Sequence, residues 1–552
     1  MNRVKEEQGK NLLAEDIPAK SLLAKETTVK DLLERMTLED KIGQLFTFYY
    51  KSTDYSDHAE AFIAGSKAGG MFLDMECLET PEQVHRLTSC MQRAALERGA
   101  GIPLFIAADL VAGAGCKLSG GGAVHFPKNM AVGAANDEIL AYESGRITAM
   151  ESLAMGVNFN YSPVADINNN PANPVIGTHS FGSSSDGVSR MAAAVIRGYQ
   201  EHGMIATAKH FPGHGDTDVD SHLDLPVLPF DRDRLEGFEL VPFREAIAAG
   251  TSAVMVGHIA VPSLDPSMLP ASLSRPMVTG LLRERMAYDG LIVTDGMSMK
   301  GVTAAYSQVR ACVMALQAGA DILLVEETQP GEGRAMFEAV LEAVRSGELE
   351  EDRITVSVQR ILRTKGGYGL LPGYFSLCPF DPSGLAREDS ERISLELARK
   401  ALRIHGPAER WAAAEAFWNR GGGWRLVADR SLAEFADRIE DRARLAGRPP
   451  AGSVRIDGHE TLMEWFDHEG ETTEAVLIAL THNKRMRQDV LERLEQFAAG
   501  RREPVILVHF GSPFDAEWFP DTPALLMYDR APSLQRAAAE YITEFLNRER
   551  GE

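Results

Sequence analysis

The sequence predicts a (β/α)8 barrel of the TIM type followed by a smaller α/β/α sandwich domain. Short apolar, β-branched runs alternate with amphipathic stretches over the first two thirds of the chain. Polar side chains stand at the ends of several runs, and a Gly/Pro-rich segment then precedes a second, shorter alternation. Near-continuous apolar strands separated by helices are typical of a parallel sheet that is covered on both faces.

The first alternation contains eight apolar runs, and eight strand–helix units favour a closed barrel over an open sheet. Between most runs lie helical patterns such as "DGVSRMAAAVIRGYQEHG" and "RPMVTGLLRERM". The runs, in order, are "LFTFYY" from Leu45, "GGMFLD" from Gly69, "IPLFIAAD" to Asp109, "VNFNYSPVAD" to Asp166, "IATAKHF" from Ile205, "SAVMVGHI" from Ser252, "GLIVTDG" to Gly296 and "ADILLVE" to Glu326.

Polar residues cluster at or just after the carboxyl ends of these runs. In a barrel those ends form one face, and active sites are built on that face. We therefore expect the polar residues to share one site. They are Asp109, Asp166, Lys209, His210, His258 and Asp295.

The rest of the chain predicts a second domain. We assign residues 1–370 to the barrel, 371–385 to a linker and 386–552 to an α/β sandwich. The sandwich is indicated by the apolar runs "WRLVADR", "EAVLIALT", "PVILVHFGSP" and "ALLMYDR". The "GGG" at 421–423 lacks the spacing of a phosphate-binding loop and indicates a turn.

Composition excludes several classes of function. The net charge of −22 argues against nucleic acid and anionic membranes as partners. The five cysteines show no CxxC spacing, so neither a disulfide framework nor a zinc site is suggested. No run is long enough to span a bilayer, and the first residues contain no apolar leader. We expect a cytoplasmic monomer or weak homo-oligomer without a cofactor, although a chain that had lost its leader would look the same.

The segment "KHFPGHGDTDVDSH", Lys209 to His222, holds three histidines and three aspartates. It can be a metal site, a solvated turn or a catalytic loop. "DTDVDS" begins like a calcium loop, but Ser221 stands at the sixth position and Val227 at the twelfth, where glycine and glutamate are needed. No zinc spacing fits either. A solvated turn is less favoured because the loop directly follows the strand that brings Lys209 to the active face.

Catalysis is the favoured interpretation of this loop. In an extended segment, Asp220 and His222 point the same way. A carboxylate bonded to one imidazole nitrogen fixes the tautomer and raises the pKa of the ring, so the other nitrogen can exchange a proton near neutral pH. Such a pair still needs a nucleophile or second acid, for which Asp295 in "GLIVTDGMSM" is the candidate.

The same loop, followed by "LP", resembles the signature of glycoside hydrolase family 3, in its β-N-acetylglucosaminidase branch. The blocks "SPVADINNNPANPVIG", "SFG", "GLIVTDGMSM" and "RILRTKGGYGLL" follow in the family's order. The resemblance covers residues from about 35 to about 370 and continues more weakly beyond them. It implies a substrate with a terminal β-linked N-acetylglucosamine (GlcNAc).

The resemblance also implies roles for individual residues. Asp295 would be the nucleophile, and His222 the general acid/base with Asp220 as its partner. A retaining glycosidase needs one group to attack the anomeric carbon and another to protonate the leaving oxygen. The predicted substrate contacts, which include the remaining residues at strand ends, are Asp109, Lys117, Asp166, His179, Lys209, His210 and His258.

Two blocks depart from the family pattern. In "DLVAGAGCK", Val111 replaces a glutamate, while Ala114 and Lys117 replace arginines. In "HSFG", His179 stands where an arginine is expected. Lysine and histidine do not reproduce the rigid fork of an arginine, so the recognition of the terminal sugar is expected to differ.

The sequence therefore predicts an exo-acting, retaining β-N-acetylglucosaminidase acting on chitooligosaccharides or muropeptide fragments. Two alternatives stay open. One is a family 3 enzyme for another β-glycoside, such as a β-glucoside. The other is a catalytically impaired sugar-binding protein.

Overall fold

The computed structural model describes residues 19–468, 473–482 and 486–547. Its first sheet contains eight parallel strands in the order β7-β6-β5-β4-β3-β2-β1-β8. A parallel bridge between Val293 and Ile322 joins β7 to the chain just before β8, so the ring is nearly closed and the predicted barrel is confirmed. The strands are β1 Phe46–Tyr50, β2 Gly70–Leu73, β3 Phe105–Ala108, β4 Phe159–Asn160, β5 Ile205–Phe211, β6 Ala253–Val256, β7 Leu291–Thr294 and β8 Leu323–Val325.

Helices surround this sheet, and several of them begin at a residue whose side chain caps the first turn. Thr80 accepts a hydrogen bond from the Gln83 N–H at the start of α4, and Ser184 caps α7 in the same way. A wider, π-type helix, Pro276–Arg285, connects β6 to β7. The α-helices are α1 Ala19–Arg35, α2 Leu38–Gln44, α3 Asp57–Glu60, α4 Pro81–Glu97, α5 Asn129–Ala135, α6 Glu138–Ala154, α7 Ser185–Gln200, α8 Arg232–Gly237, α9 Val241–Ala248, α10 Lys300–Thr303, α11 Gln308–Ala318, α12 Glu332–Arg345 and α13 Glu351–Gly367.

A buried lysine closes the amino-terminal end of the barrel. Lys365 on α13 is completely buried, and its Nζ donates to the Gln44 Oε1 at 2.8 Å and the Gly69 carbonyl at 3.1 Å. The ammonium also lies 4.9 Å from the centre of the Phe105 ring. Burial lowers the pKa of Lys365 to about 7. Lys365 thus fills the centre of the barrel at this end.

A second sheet follows, in the order β11-β10-β12-β13-β14-β9, with β9 antiparallel to β14. The predicted linker, 371–385, lies between α13 and α14 and contains a short helical turn at Pro382–Gly384. The "GGG" segment lies in the turn that joins α15 to β10. The elements are α14 Glu388–Ala401, β9 Arg403–His405, α15 Ala408–Asn419, β10 Trp424–Asp429, α16 Ala433–Leu445, β11 Gly452–Ile456, α17 Gly458–His468, β12 Ala475–Thr481, α18 Gln488–Ala499, β13 Val505–Phe510, β14 Ala524–Leu526 and α19 Pro532–Asn547.

Within the described ranges, none of the helices has both the length and the apolar surface needed to cross a membrane.

Glu151 joins the two parts of the chain. This carboxyl on α6 is 1% exposed and accepts the Val124 N–H at 2.9 Å and the Ala386 N–H at 2.8 Å. Burial raises its pKa from 4.5 to about 7. Between these values the folded chain retains a proton that the unfolded chain has released. Protonated Glu151 therefore contributes fully to the free energy of unfolding below about pH 4.5, and this contribution is lost as the pH rises through about 7.

Replacement of Glu151 by glutamine is expected to remove this dependence. The melting temperature of the wild type should fall between about pH 5 and about pH 7, and that of Glu151→Gln should fall less. Glu143→Gln, on the same helix, is the control and should keep the wild-type slope, since Glu143 pairs with Arg146 outside this contact. Identical slopes for all three proteins would contradict the assignment.

Candidate active site

A cavity of about 510 Å³ opens at the carboxyl ends of the barrel strands. Most of the residues that the sequence placed in the site line it. They are Asp109, Lys117, His179, Lys209, His210, His222 and Asp295.

Asp295 directly follows β7 and lies at the cavity wall. Its Oδ1 accepts the Gly296 N–H at 2.8 Å. Burial alone would raise its pKa, but the nearby His210 and His258 rings and the Gly296 N–H hold the pKa below the ordinary value. Asp295 is therefore ionised at neutral pH, as a carboxylate nucleophile must be.

His222 and Asp220 form the predicted pair. The His222 Nδ1 lies 2.7 Å from the Asp220 Oδ1, and the His222 backbone N–H donates to the same oxygen at 3.0 Å. The imidazole is 62% exposed, whereas the carboxylate is 10% exposed. Because Asp220 engages Nδ1, Nε2 is the nitrogen left for proton transfer at the cavity.

The conformation that brings these two residues together differs from the predicted one. The sequence predicts an extended segment, but the chain turns here, and the Leu223 N–H donates to the Asp220 carbonyl at 2.8 Å. The expectation of an extended strand is therefore wrong. The contact forms because an aspartate side chain readily accepts the N–H two residues ahead in a turn.

A buried histidine that the sequence analysis did not select holds this loop. His214 is 1% exposed; its Nδ1 lies 2.8 Å from the Thr217 Oγ1 and its Nε2 2.9 Å from the Ser221 Oγ. Its backbone N–H donates to the Asp166 Oδ1 at 2.7 Å. His214 thus connects the base of the loop to its tip, next to His222. The sequence offered one signal for this role, since His214 lies between Gly213 and Gly215 in the loop motif.

Asp109, after β3, and Lys209, on β5, form an ion pair in the cavity wall across from Asp295. The Lys209 Nζ lies 2.7 Å from the Asp109 Oδ1. Burial would raise the pKa of Asp109, but the Lys209 and Lys117 ammonium groups hold it below the ordinary value. Burial lowers the pKa of His179 to about 3, and the neighbouring lysine Lys128 contributes to this shift. His179 is therefore a neutral ring in a cationic environment.

Asp166 and His258 lie beneath the cavity rather than in its wall, and both are completely buried. Asp166 holds His210, with 2.8 Å between Oδ2 and Nδ1. The His258 Nε2 lies 2.9 Å from the Gly296 carbonyl, next to Asp295. The structure therefore places both predicted substrate contacts behind the cavity lining, where each holds a neighbouring residue of the site.

Two carboxylates that were not predicted as site residues also line the cavity, after β8 and β2. Glu326, after β8, accepts hydrogen bonds from Lys51 at 2.6 Å and from Ser298 at 2.7 Å. Asp74, after β2, lies 4.0 Å from the Lys51 Nζ. Both carboxylates end apolar runs, so the strand-end rule that selected Asp109 would also have selected them.

The loop aspartates engage separate partners. Asp216 accepts from the Asn169 Nδ2 at 2.7 Å and lies 3.3 Å from Arg234, whereas Asp220 bonds His222. In the part of the chain that the structure describes, no three His, Cys, Asp or Glu side chains come together as a metal-binding group.

Comparison with known proteins matches this site to a family. The model of the glycosyl hydrolase family 3 N terminal domain matches residues 37–364. The beta-hexosaminidase A of Pseudoalteromonas piscicida is 31% identical over 353 residues, which cover 60% of this chain and 58% of that protein. A beta-N-acetylglucosaminidase/beta-glucosidase of Cellulomonas fimi is 29% identical, over 66% of this chain and 64% of that protein. The chain thus spans less than two thirds of the length of these two relatives.

A solved structure extends the similarity to both sheets. The glycoside hydrolase family 3 beta-N-acetylglucosaminidase from Paenibacillus sp. str. FPU-7 superposes with a TM-score of 0.82 at 32% identity. The match covers 92% of this chain and 97% of that one. Since the family model spans more than half of the chain, and the fold and the sequence blocks agree with it, the chain belongs to glycoside hydrolase family 3.

Proposed function

We propose that the protein is an exo-acting, retaining β-N-acetylglucosaminidase. Its substrate would be a chitooligosaccharide or a muropeptide fragment with a terminal, non-reducing β-linked GlcNAc. The observation that carries the proposal is the His222–Asp220 pair, 2.7 Å apart, at the same cavity as an ionised Asp295. The names of the Pseudoalteromonas piscicida relative and of the Paenibacillus structure support the same activity. The name of the Cellulomonas fimi relative includes it beside beta-glucosidase.

In the first step, an Asp295 carboxylate oxygen attacks the anomeric carbon while the glycosidic bond breaks. The His222 Nε2–H transfers its proton to the leaving oxygen, and Asp220 stabilises the ring through Nδ1. The product is a covalent glycosyl–Asp295 ester. In the second step, His222 takes a proton from water as the water attacks the same carbon and the bond to Asp295 breaks, which releases the carboxylate. Two inversions at the anomeric carbon retain the configuration.

The opposite wall suits the hydroxyl groups of a terminal sugar. The Asp109 carboxylate accepts hydrogen bonds, and the Lys209 ammonium donates them. Asp166 engages the Nδ1 of His210, so this ring can offer Nε2 to the sugar. A cavity of about 510 Å³ is within the range typical of small-molecule sites, which favours a terminal sugar over a polymer chain.

Two aryl glycosides test the proposal. Purified protein should release nitrophenol from nitrophenyl β-GlcNAc with a much higher kcat/KM than from nitrophenyl β-glucoside. The reverse preference would support the β-glucosidase alternative. Absence of turnover on both, with GlcNAc still binding in calorimetry, would identify an impaired sugar-binding protein.

Replacement of His179 by arginine is expected to act on binding rather than on chemistry. The site depresses the pKa of His179 to about 3, so a permanent cation there meets an environment that disfavours charge. KM for nitrophenyl β-GlcNAc should rise by about tenfold, with kcat within about threefold of wild type. A thousandfold loss of kcat at unchanged KM would place His179 in the chemistry instead.

A further inference from the structure

Helix α5 lies in the barrel part of the sequence, but it packs against the second unit, which comprises the second sheet and helices α14 to α19. It follows the loop after β3, yet Met130 and Ala131 are buried in the apolar core that contains Ala398 on α14, Trp418 on α15 and Leu534 on α19. The core of the second unit therefore extends into a connection of the barrel.

A carboxylate of the second unit fixes the start of α5. Asp529 follows β14 and is 7% exposed. Its Oδ2 accepts the backbone N–H of Lys128, the residue that precedes α5, at 2.7 Å. Its Oδ1 accepts the Ala531 N–H, also at 2.7 Å. Each oxygen thus satisfies a backbone donor, one on each side of the boundary between the two units, and loss of either leaves a poorly hydrated N–H.

From α5 the contact continues to the cavity wall. The Asn129 side chain is 4% exposed, and its Nδ2 donates to the His179 carbonyl at 2.8 Å. One turn later Gly133 packs against Phe181, so closely that a Cβ there would lie 1.7 Å from the Phe181 carbonyl oxygen. The segment 179–181 is therefore held against α5, and His179 lines the cavity.

We propose that the second unit positions one wall of the active site, the segment 179–181 that carries His179. The contacts run from Asp529 through the Lys128 backbone and Asn129 to His179. The proposal rests on the proposed function insofar as His179 contacts the sugar. Asp529 and Asn129 are positioning residues, since neither lines the cavity. A helix of only seven residues has little rigidity of its own, so its anchors decide where the wall stands.

The test uses Asp529→Asn, Asn129→Ala, the double variant and one control. Asp529→Asn keeps the size of the side chain but turns an N–H donor toward one of the two backbone N–H groups. The control, Lys400→Met, removes another contact between the units, the 2.5 Å pair of Lys400 with Asp137. Asp137 caps α6 and does not line the cavity.

Two readouts are measured on the full chain: kinetics with nitrophenyl β-GlcNAc, and amide hydrogen exchange of a peptide that covers 175–182. Each single variant should raise KM by about tenfold, leave kcat within about threefold and accelerate exchange in that peptide. The double variant should be no worse than the stronger single variant, because both changes break one series of contacts. Lys400→Met should match wild type in both readouts.

The proposal is overturned if the Asp529 and Asn129 variants exchange like Lys400→Met, if kcat falls with KM unchanged, or if the two effects simply add. Should Asp529→Asn fail to fold, Asn129→Ala against the same control decides the outcome. Should the wild type show no glycosidase activity, the proposed function fails, and the exchange data still decide whether the second unit positions the wall.

Discussion

Asp295→Asn is expected to abolish turnover on every substrate, with a loss of at least about 10⁴-fold in kcat. The asparagine amide is similar in size, but it carries no charge and cannot form the glycosyl ester. The surroundings increase the expected loss of kcat, because His210, His258 and Lys209 together favour an anion at this position and a neutral amide does not supply one. No other residue selected for the site is placed beside β7 to attack in its stead.

The measurement is kcat on nitrophenyl β-GlcNAc, with GlcNAc binding by calorimetry as the control for folding. Asp295→Ala supplies a second test with azide. Azide can enter the space left by the carboxylate, attack the anomeric carbon and displace nitrophenolate, which gives the α-glycosyl azide. Normal turnover in Asp295→Asn, or a β-glycosyl azide from Asp295→Ala, would contradict Asp295 as the nucleophile.

His222→Ala is expected to depend on the leaving group. Nitrophenolate leaves with little protonation, so glycosylation by nitrophenyl β-GlcNAc should suffer least. A sugar alkoxide needs its proton, so chitobiose hydrolysis should lose the roughly 10²–10⁴-fold typical of general acid catalysis. The exposed position of His222 means that this replacement should leave the fold intact.

Asp220→Asn is the graded control, since it keeps the turn but replaces the charged partner of the His222 Nδ1 with a neutral amide. Its defect should have the same dependence on the leaving group and be milder. The measurement is kcat/KM for all variants on both substrates, with NMR of the first-formed anomer. Equal losses of His222→Ala on both substrates, or an α-anomer from the β-linked substrate, would refute the mechanism.

The barrel could be predicted because its strands are covered on both faces. Every residue of β2, β3, β6 and β7 is buried, so each strand appears in the sequence as an unbroken apolar run. The two strands missed in the second unit lie at sheet edges. β9 is three residues long and mostly exposed, and β11 is only partly buried, so neither produces an apolar run.

The strand-end rule predicted which chain segments meet at the site, but not the depth of each side chain. Asp109 and Asp166 both end apolar runs, yet Asp109 lines the cavity and Asp166 lies beneath it. Whether a side chain reaches the cavity depends on how the loop after its strand folds back. The apolar pattern of the sequence does not contain that information. The pairing of His222 with Asp220 was predicted, whereas the turn that produces it was not.

By itself, the sequence determined the fold class, the family and the residues proposed for the chemistry. These properties depend on local apolar periodicity and on a long contiguous motif, and both can be read along the chain. Only the tertiary structure decided that His214 holds the loop and that Asp529 reaches Lys128, about 400 residues away in the sequence. The contact between Asp529 and Lys128 depends on how the two units pack together, which no spacing within either segment encodes. The contacts of His214 depend on how its own loop folds back, which its apolar pattern does not specify.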